Sequence, residues 1–167
     1  AGLTEVVVKP ARDAGRGRGV RFLSRDEAPA FLRGTAAAPG HEDLIFQAPL
    51  VQSPAMARLN PTSTNTLRIM TSAIDGAPAL VGAVARIGRA GARVDNVEAG
   101  GLGVGVRDGR LLATAYDEDF ARYTASPATG MPFEGYEIPG WARAARAALD
   151  MHALFPDIGL MSWDIAF

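Results

Sequence analysis

Apolar residues in this chain fall mostly at every second position, in short runs separated by glycine, proline and small polar residues, which predicts strands more often than helices. The first run, EVVVK at 5–9, leads into PARDAGRGRGV at 10–20, where Gly15, Gly17 and Gly19 alternate with arginines, and VRFL at 20–23 runs back, so a hairpin with a cationic, glycine-rich tip is expected. Ser24, ahead of Asp26 and Glu27, reads as a helix N-cap with acids in the first turn, and Gly34 as the stop of a helix of about two turns. Residues 35–41 read as a loop and DLIFQAPL at 43–50 as a buried strand ending at Pro49.

Further along, SPAMARL is a short helix with Ser53 as cap and Pro54 at its first position, followed by a polar loop, NPTSTN. TLRIMTSAI and ALVGAVARIG are two long strands that the tight link DGAP makes antiparallel. After the polar loop RAGARVDNVEAGG, the segment LGVGVRDGRLLATAY predicts a second hairpin turning at Asp108 and Gly109. Residues 117–138, rich in proline, glycine and aromatics, read as a long functional or lid-like loop. A helix over 139–154 and a last strand, IGLMSWDIAF, complete an α+β chain of about eight mostly antiparallel strands, with one substantial helix over a face and no internal repeat.

Composition narrows the function. The 167 residues carry one lysine and sixteen arginines against 18 acids, a net charge of -1, which argues against a basic nucleic-acid-binding surface. Zero cysteines remove thiolate metal sites and cysteine nucleophiles, and two distant histidines, His41 and His152, disfavour a zinc site. Apolar runs fall short of the roughly 20 residues that span a bilayer. With no basic-then-apolar leader, a soluble cytoplasmic protein is expected. The chain opens just before a strand and stops inside one, so an excerpt of a longer domain is expected.

Chemistry points to an anionic small molecule. Arg12, Arg16, Arg18, Arg68, Arg86, Arg89 and Arg93 stand beside glycine or polar residues, and the planar guanidinium fork matches phosphate and carboxylate oxygens. The other reading is arginine replacing lysine on solvated surface. Arg68 and Arg86 stand apart because they lie inside apolar strands, where an unpaired charge is costly unless it faces a cleft. RVDN adds Asp95 and Asn96 to Arg93, either as a binding loop or as a polar turn. Asp164 lies between Trp163 and Ile165, and strand alternation puts it on the opposite face from both, where it either pairs with an arginine or holds a hard cation such as Mg²⁺. His152 reads as a packed or exposed helix residue. No Walker sequence occurs, and AGRGRGV lacks the glycine spacing of a dinucleotide fingerprint, so a glycine-rich hairpin closing over phosphates fits better.

Taken together, VVVKP, LIFQAPLVQSPAMARLNPTSTNTLRIMT, ARIGRAGARVDNVEAGGLGVGV, SPATGMPFEGYEIPGW and WDIAF resemble the sugar-transfer-associated ATP-grasp family, related to α-L-glutamate-ligase-like proteins. The likeness runs through nearly the whole chain in order, with STNTLRI and RVDNVEAGG as its most specific stretches. It implies an ATP-grasp fold in which ATP lies between two lobes: residues 1–48 as part of the lid lobe, and residues 49–167 as the C-terminal lobe. It assigns Lys9 to the α- and β-phosphates and the loop with Gly15, Gly17 and Gly19 to a cover over them. Gln47, Ala48, Pro49 and Leu50 become the adenine-binding hinge. Arg68 faces the phosphates or acyl phosphate, Arg93 and Asn96 face the transferred group or acceptor, and Asp164 is the first Mg²⁺ ligand. Ala48 replaces the acid that usually follows the hinge glutamine, and the later Glu and Asn metal ligands are expected beyond Phe167, so these residues alone are expected not to catalyse.

The resemblance implies an ATP- and Mg²⁺-dependent ligase, joining a small-molecule carboxylate to an amine or other nucleophile through an acyl phosphate, in cell-surface polysaccharide or peptide modification. A nucleotide-binding module without catalysis and a phosphotransferase on the same fold are the alternatives.

Overall fold

The computed structural model describes residues 4–12, 19–36, 43–74, 76–95, 97 and 100–167. The chain divides into two compact units, Ala1–Leu50 and Val51–Phe167.

In the first unit, β1 (Glu5–Pro10) lies between β2 (Arg21–Ser24) and β3 (Leu44–Gln47), antiparallel to both. Val7 and Val8 are its buried apolar side chains, as the β-branched run predicts. The chain leaves β2 through a capping box: the Ser24 amide donates to Glu27 Oε2 at 2.8 Å, and the Glu27 amide donates to Ser24 Oγ at 3.3 Å. The helix itself, α1 (Ala28–Ala36), starts after both acids, so the Ser24 cap stands where the sequence suggests and the helix begins one turn later. Gly34 does not stop it. Glycine at negative φ costs a helix only about 1 kcal/mol relative to alanine, and the Thr35 hydroxyl donates to the Phe31 carbonyl at 2.9 Å, tying the last turn down. Arg21 spreads over the Phe31 ring, 5.4 Å from its centre, linking β2 to α1.

The second unit is built on one antiparallel sheet of six strands: β4 (Thr66–Ser72), β5 (Ala79–Ile87), β6 (Leu102–Arg107), β7 (Arg110–Tyr116), β8 (Arg122–Tyr123) and β9 (Leu160–Ala166). Their order is β8-β7-β6-β5-β4-β9, so the last strand returns to pair with β4. Period-two alternation divides the sheet. Leu67, Ile69, Ala85, Ile87, Leu102, Val104, Leu111 and Ala115 are buried in one continuous core. α3 (Trp141–His152) joins that core through Ala144 and Ala148, with His152 buried one turn further on, a stripe spaced by four. A short helix, α2 (Pro54–Ala57), is capped by Ser53 and buries Met56.

Residues 117–138 do not form a lid. Phe133 is the largest fully buried side chain, and Ile138 is nearly so; the segment closes the core, which is why it carries aromatics. Asp108 and Gly109 turn the β6–β7 hairpin with φ of 49° and 79°, the left-handed pair that a two-residue hairpin needs. A Cβ on Gly109 would lie 2.8 Å from Trp141 Cγ, so this turn packs directly on the start of α3. The chain is thus α+β with antiparallel sheets and, among the described residues, three helices. None of the described helices is long and apolar enough to cross a membrane.

Candidate functional site

The face of the large sheet opposite the core carries the charges. On β4 the side chains of Leu67 and Ile69 go inward, which turns Thr66, Arg68 and Met70 outward. Register places Asp164 of β9 directly opposite Arg68, and Arg86 of β5 directly opposite Thr66. Arg68 donates from Nε to Asp164 Oδ1 and from Nη2 to Oδ2, each at 2.7 Å, a bidentate fork. Arg86 Nη1 donates to Asp164 Oδ2 at 3.0 Å, while its Nη2 lies 3.2 Å from Asp95 Oδ1. Asp95 also accepts from the Thr66 amide at 3.1 Å and from the Thr66 hydroxyl.

The cluster is graded in exposure. Side chains of Arg86 and Asp95 are 11% and 10% exposed, whereas Arg68 and Asp164 are 46% and 43% exposed. Arg86 and Asp95 therefore form a nearly buried anchor, and Arg68 with Asp164 forms a half-open pair facing solvent. Bonding from Arg68, with the charges of Arg68 and Arg86, outweighs partial burial and holds Asp164 below the usual carboxylate range; the bond to Asp164 likewise raises Arg68.

A polar knot beneath the cluster sets its geometry. Asn60 and Asn65 are fully buried. Asn60 Nδ2 donates to the carbonyls of Gly88 and Arg89 at 2.7 and 3.0 Å, and its Oδ1 accepts from the Thr62 amide and hydroxyl. Asn65 donates to the carbonyls of Met56 and Asn60 and accepts from the Gly88 amide and the Ser63 hydroxyl. A Cβ on Gly88 would meet Ser63 Oγ at 2.4 Å and the Val94 carbonyl at 2.7 Å, so only glycine fits where β5 leaves the sheet. The NPTSTN loop thereby fixes the start of the segment that brings Asp95 back onto Thr66 and Arg86. Among the described residues no buried polar side-chain atom lacks a partner.

Of the residues singled out from sequence, Arg68, Arg86, Asp95 and Asp164 come together. Arg93 is exposed on the loop leading to Asp95. In the first unit, half-buried Lys9 pairs with Ile45 in the sheet, and Gln47 ends β3 opposite Val7. Ala48 is exposed, Pro49 half-buried, and Leu50 61% exposed. Gly19 adopts φ 76°, and a Cβ there would lie 2.8 Å from Pro10 Cγ, so the second arm of the first hairpin lies against the end of β1. Gly15, Gly17 and Asn96 lie outside the described residues. The sequence marked Arg86, with Arg68, as a charge inside an apolar strand and Asp95 as the acid of RVDN, but the family resemblance gave neither Arg86 nor Asp95 a role.

The donor set suits a metal-bound polyphosphate. Two guanidinium groups can meet phosphoryl oxygens, and one half-exposed carboxylate offers the hard oxygen that Mg²⁺ takes alongside phosphates. Among the described residues no three acidic or histidine side chains gather as a ready-made metal centre, so a cation held here would need further ligands from a bound phosphate.

Compared with known families, residues 1–167 match the model for sugar-transfer associated ATP-grasp. The chain belongs to this family. The match spans both compact units of the ATP-grasp chain and agrees with its antiparallel α+β sheets. Comparison with curated proteins and with solved structures gave no match. ATP-grasp proteins as a class bind ATP and Mg²⁺ and act on small molecules.

Proposed function

We propose that this ATP-grasp protein is an ATP- and Mg²⁺-dependent ligase that joins a small-molecule carboxylate to an amine or another nucleophile, in the modification of cell-surface polysaccharide or peptide. The observation that carries this reading is the juxtaposition of Arg68, Arg86 and Asp164 on the solvent-facing side of the large sheet. ATP with Mg²⁺, when bound, supplies a phosphoryl group that activates the carboxylate as an acyl phosphate. The protein's part in such chemistry is positioning and charge neutralisation, for which no nucleophilic side chain is needed.

On this reading Arg68 and Arg86 bind phosphoryl oxygens and steady the charge that develops on them. Asp164 is the carboxylate ligand of Mg²⁺. Arg93 and Asn96 serve the transferred group or the acceptor. Lys9, with the hairpin of Gly15, Gly17 and Gly19, serves the α- and β-phosphates, and Gln47 with Ala48, Pro49 and Leu50 serves the adenine.

ADP formation tests the reading. With the full-length protein, a panel of amino acids and sugar acids as carboxylates, and amines as acceptors, one pairing should give ADP together with an amide. Lys9→Ala, Arg68→Ala and Asp164→Asn should each slow it, by about a hundredfold for a group that neutralises transition-state charge. Turnover unchanged in all three variants overturns the assignment.

A second reading, a nucleotide-binding module without turnover, is favoured by Asp164 having both oxygens taken by arginines. It predicts ATP binding with no product from any pairing, while phosphorylated substrate in place of an amide would mark a phosphotransferase.

A further inference from the structure

Resting on the ligase reading, we propose that Asp164 is a specificity-determining residue. It keeps Arg68 occupied until a divalent cation takes the carboxylate, so that the open face accepts metal-bound polyphosphate and discriminates against the metal-free anion.

The argument begins with charge. Arg68 and Arg86 stand against Asp164 and Asp95, two cations and two anions, so the cluster offers a metal-free anion no excess positive charge. Such an anion drawing Arg68 away would leave Asp164 facing it with one guanidinium fewer, two like charges side by side. A cation settled on Asp164 removes that repulsion and releases the fork in the same step.

The two arginines differ in what holds them. Among the described residues, Arg68 has ionic bonds to Asp164 alone. Arg86 has a second anchor in Asp95, nearly buried and held in turn by Thr66. Loss of Asp164 as partner thus frees Arg68, while Arg86 stays fixed by Asp95. The exchange is cheap, because a half-exposed ion pair contributes little net stability. It is directional, because the fork that binds a carboxylate through two parallel N–H groups binds a phosphate the same way.

The test is calorimetric titration of ATP into the protein in EDTA and again in excess MgCl₂, using wild type, Asp164→Asn, Arg68→Gln and the double variant. In EDTA, Asp164→Asn should bind ATP about two- to fivefold tighter than wild type, the range set by an exposed ion pair. Between Arg68→Gln and the double variant that gain should vanish, which separates release of Arg68 from the general removal of a negative charge. In MgCl₂ the order reverses, and Asp164→Asn binds more weakly than wild type. Asp164→Ala, checked for a native melting transition, replaces the asparagine variant if the latter does not fold. No gain in EDTA, or an equal gain without Arg68, overturns the inference while leaving the ligase reading intact, provided that wild type binds ATP with Mg²⁺. If wild type binds ATP in neither buffer, both fall.

Discussion

Arg68 and Asp164, 96 residues apart in sequence, face each other across β4 and β9 and are joined by two parallel 2.7 Å hydrogen bonds. One half-exposed pair thereby links the edge strand β9 to its neighbour β4 on the side away from the core. Its pH dependence follows from the direction of the Asp164 shift. The folded state holds the carboxyl below the unfolded value of about 3.9, so the pair's contribution is present above that value and is lost as pH falls through the lower folded value. Urea unfolding at pH 7 should find Asp164→Asn less stable by about 1 kcal/mol at most, as for other exposed pairs, and the difference should shrink on acidification below pH ~4. A gap that widens on acidification contradicts the pairing.

Asp95 should matter more to stability than Asp164. It holds Arg86 and the Thr66 amide and hydroxyl in a nearly buried position, so Asp95→Ala leaves a guanidinium with little water and two donors unpaired. Breaking a buried pair from one side costs about 3–5 kcal/mol, and even this partly open case should exceed 2 kcal/mol in chemical denaturation. Asp95→Asn, which keeps an acceptor for Thr66, should cost less.

On the core side of the same strands, Thr71 and the Ile158 carbonyl hold the buried ring of His152 from both nitrogens. The Ile158 carbonyl can only accept, so His152 Nε2, 2.7 Å away, carries the proton. Thr71 Oγ1 accepts from Trp163 Nε1 at 3.0 Å and is hydrogen-bonded to His152 Nδ1 at 2.7 Å. Nitrogen-15 NMR should find a proton on His152 Nε2. Thr71→Val keeps the shape and removes the relay, leaving an indole N–H and a ring nitrogen unsatisfied in the core, at about 1–3 kcal/mol each in thermal or denaturant unfolding.

The NPTSTN loop makes a comparable prediction for a residue that touches no ligand. Asn65→Ala removes the side chain that joins Met56, Asn60, Ser63 and Gly88. It should destabilise the second unit by more than 2 kcal/mol, since several buried partners lose their bonds at once. Asn65→Ala with unchanged stability would show that the knot is not what positions this loop.

Strands and turns were readable because their signals are local. Alternation in TLRIMTS, LGVGV and MSWDIAF marked which side chains enter the core, and Asp108 with Gly109 marked the hairpin. Gly34 misled, because helix length depends on what the last turn bonds to, and glycine sets only a small preference. Residues 117–138 misled as well: proline, glycine and aromatics resemble a lid-like loop until Phe133 is seen filling the core. Asp164 was recognisable as an out-of-place acid, but its partners were not, since Arg68 and Arg86 lie 96 and 78 residues earlier and only the return of β9 onto β4 brings them together. STNTLRI is among the stretches most specific to the family, yet its asparagine is structural, a distinction that hydrogen-bond partners reveal and residue types do not.

Paramagnetic broadening tests the location of the nucleotide most directly. With ATP and Mn²⁺ in place of Mg²⁺, amide signals of Arg68, Arg86 and Asp164 should broaden first, and those of α3, on the opposite face of the sheet, should persist longest. Broadening centred on α3 or on the hairpin turn at Asp108 and Gly109, with the signals of Arg68 and Asp164 left sharp, would contradict the account.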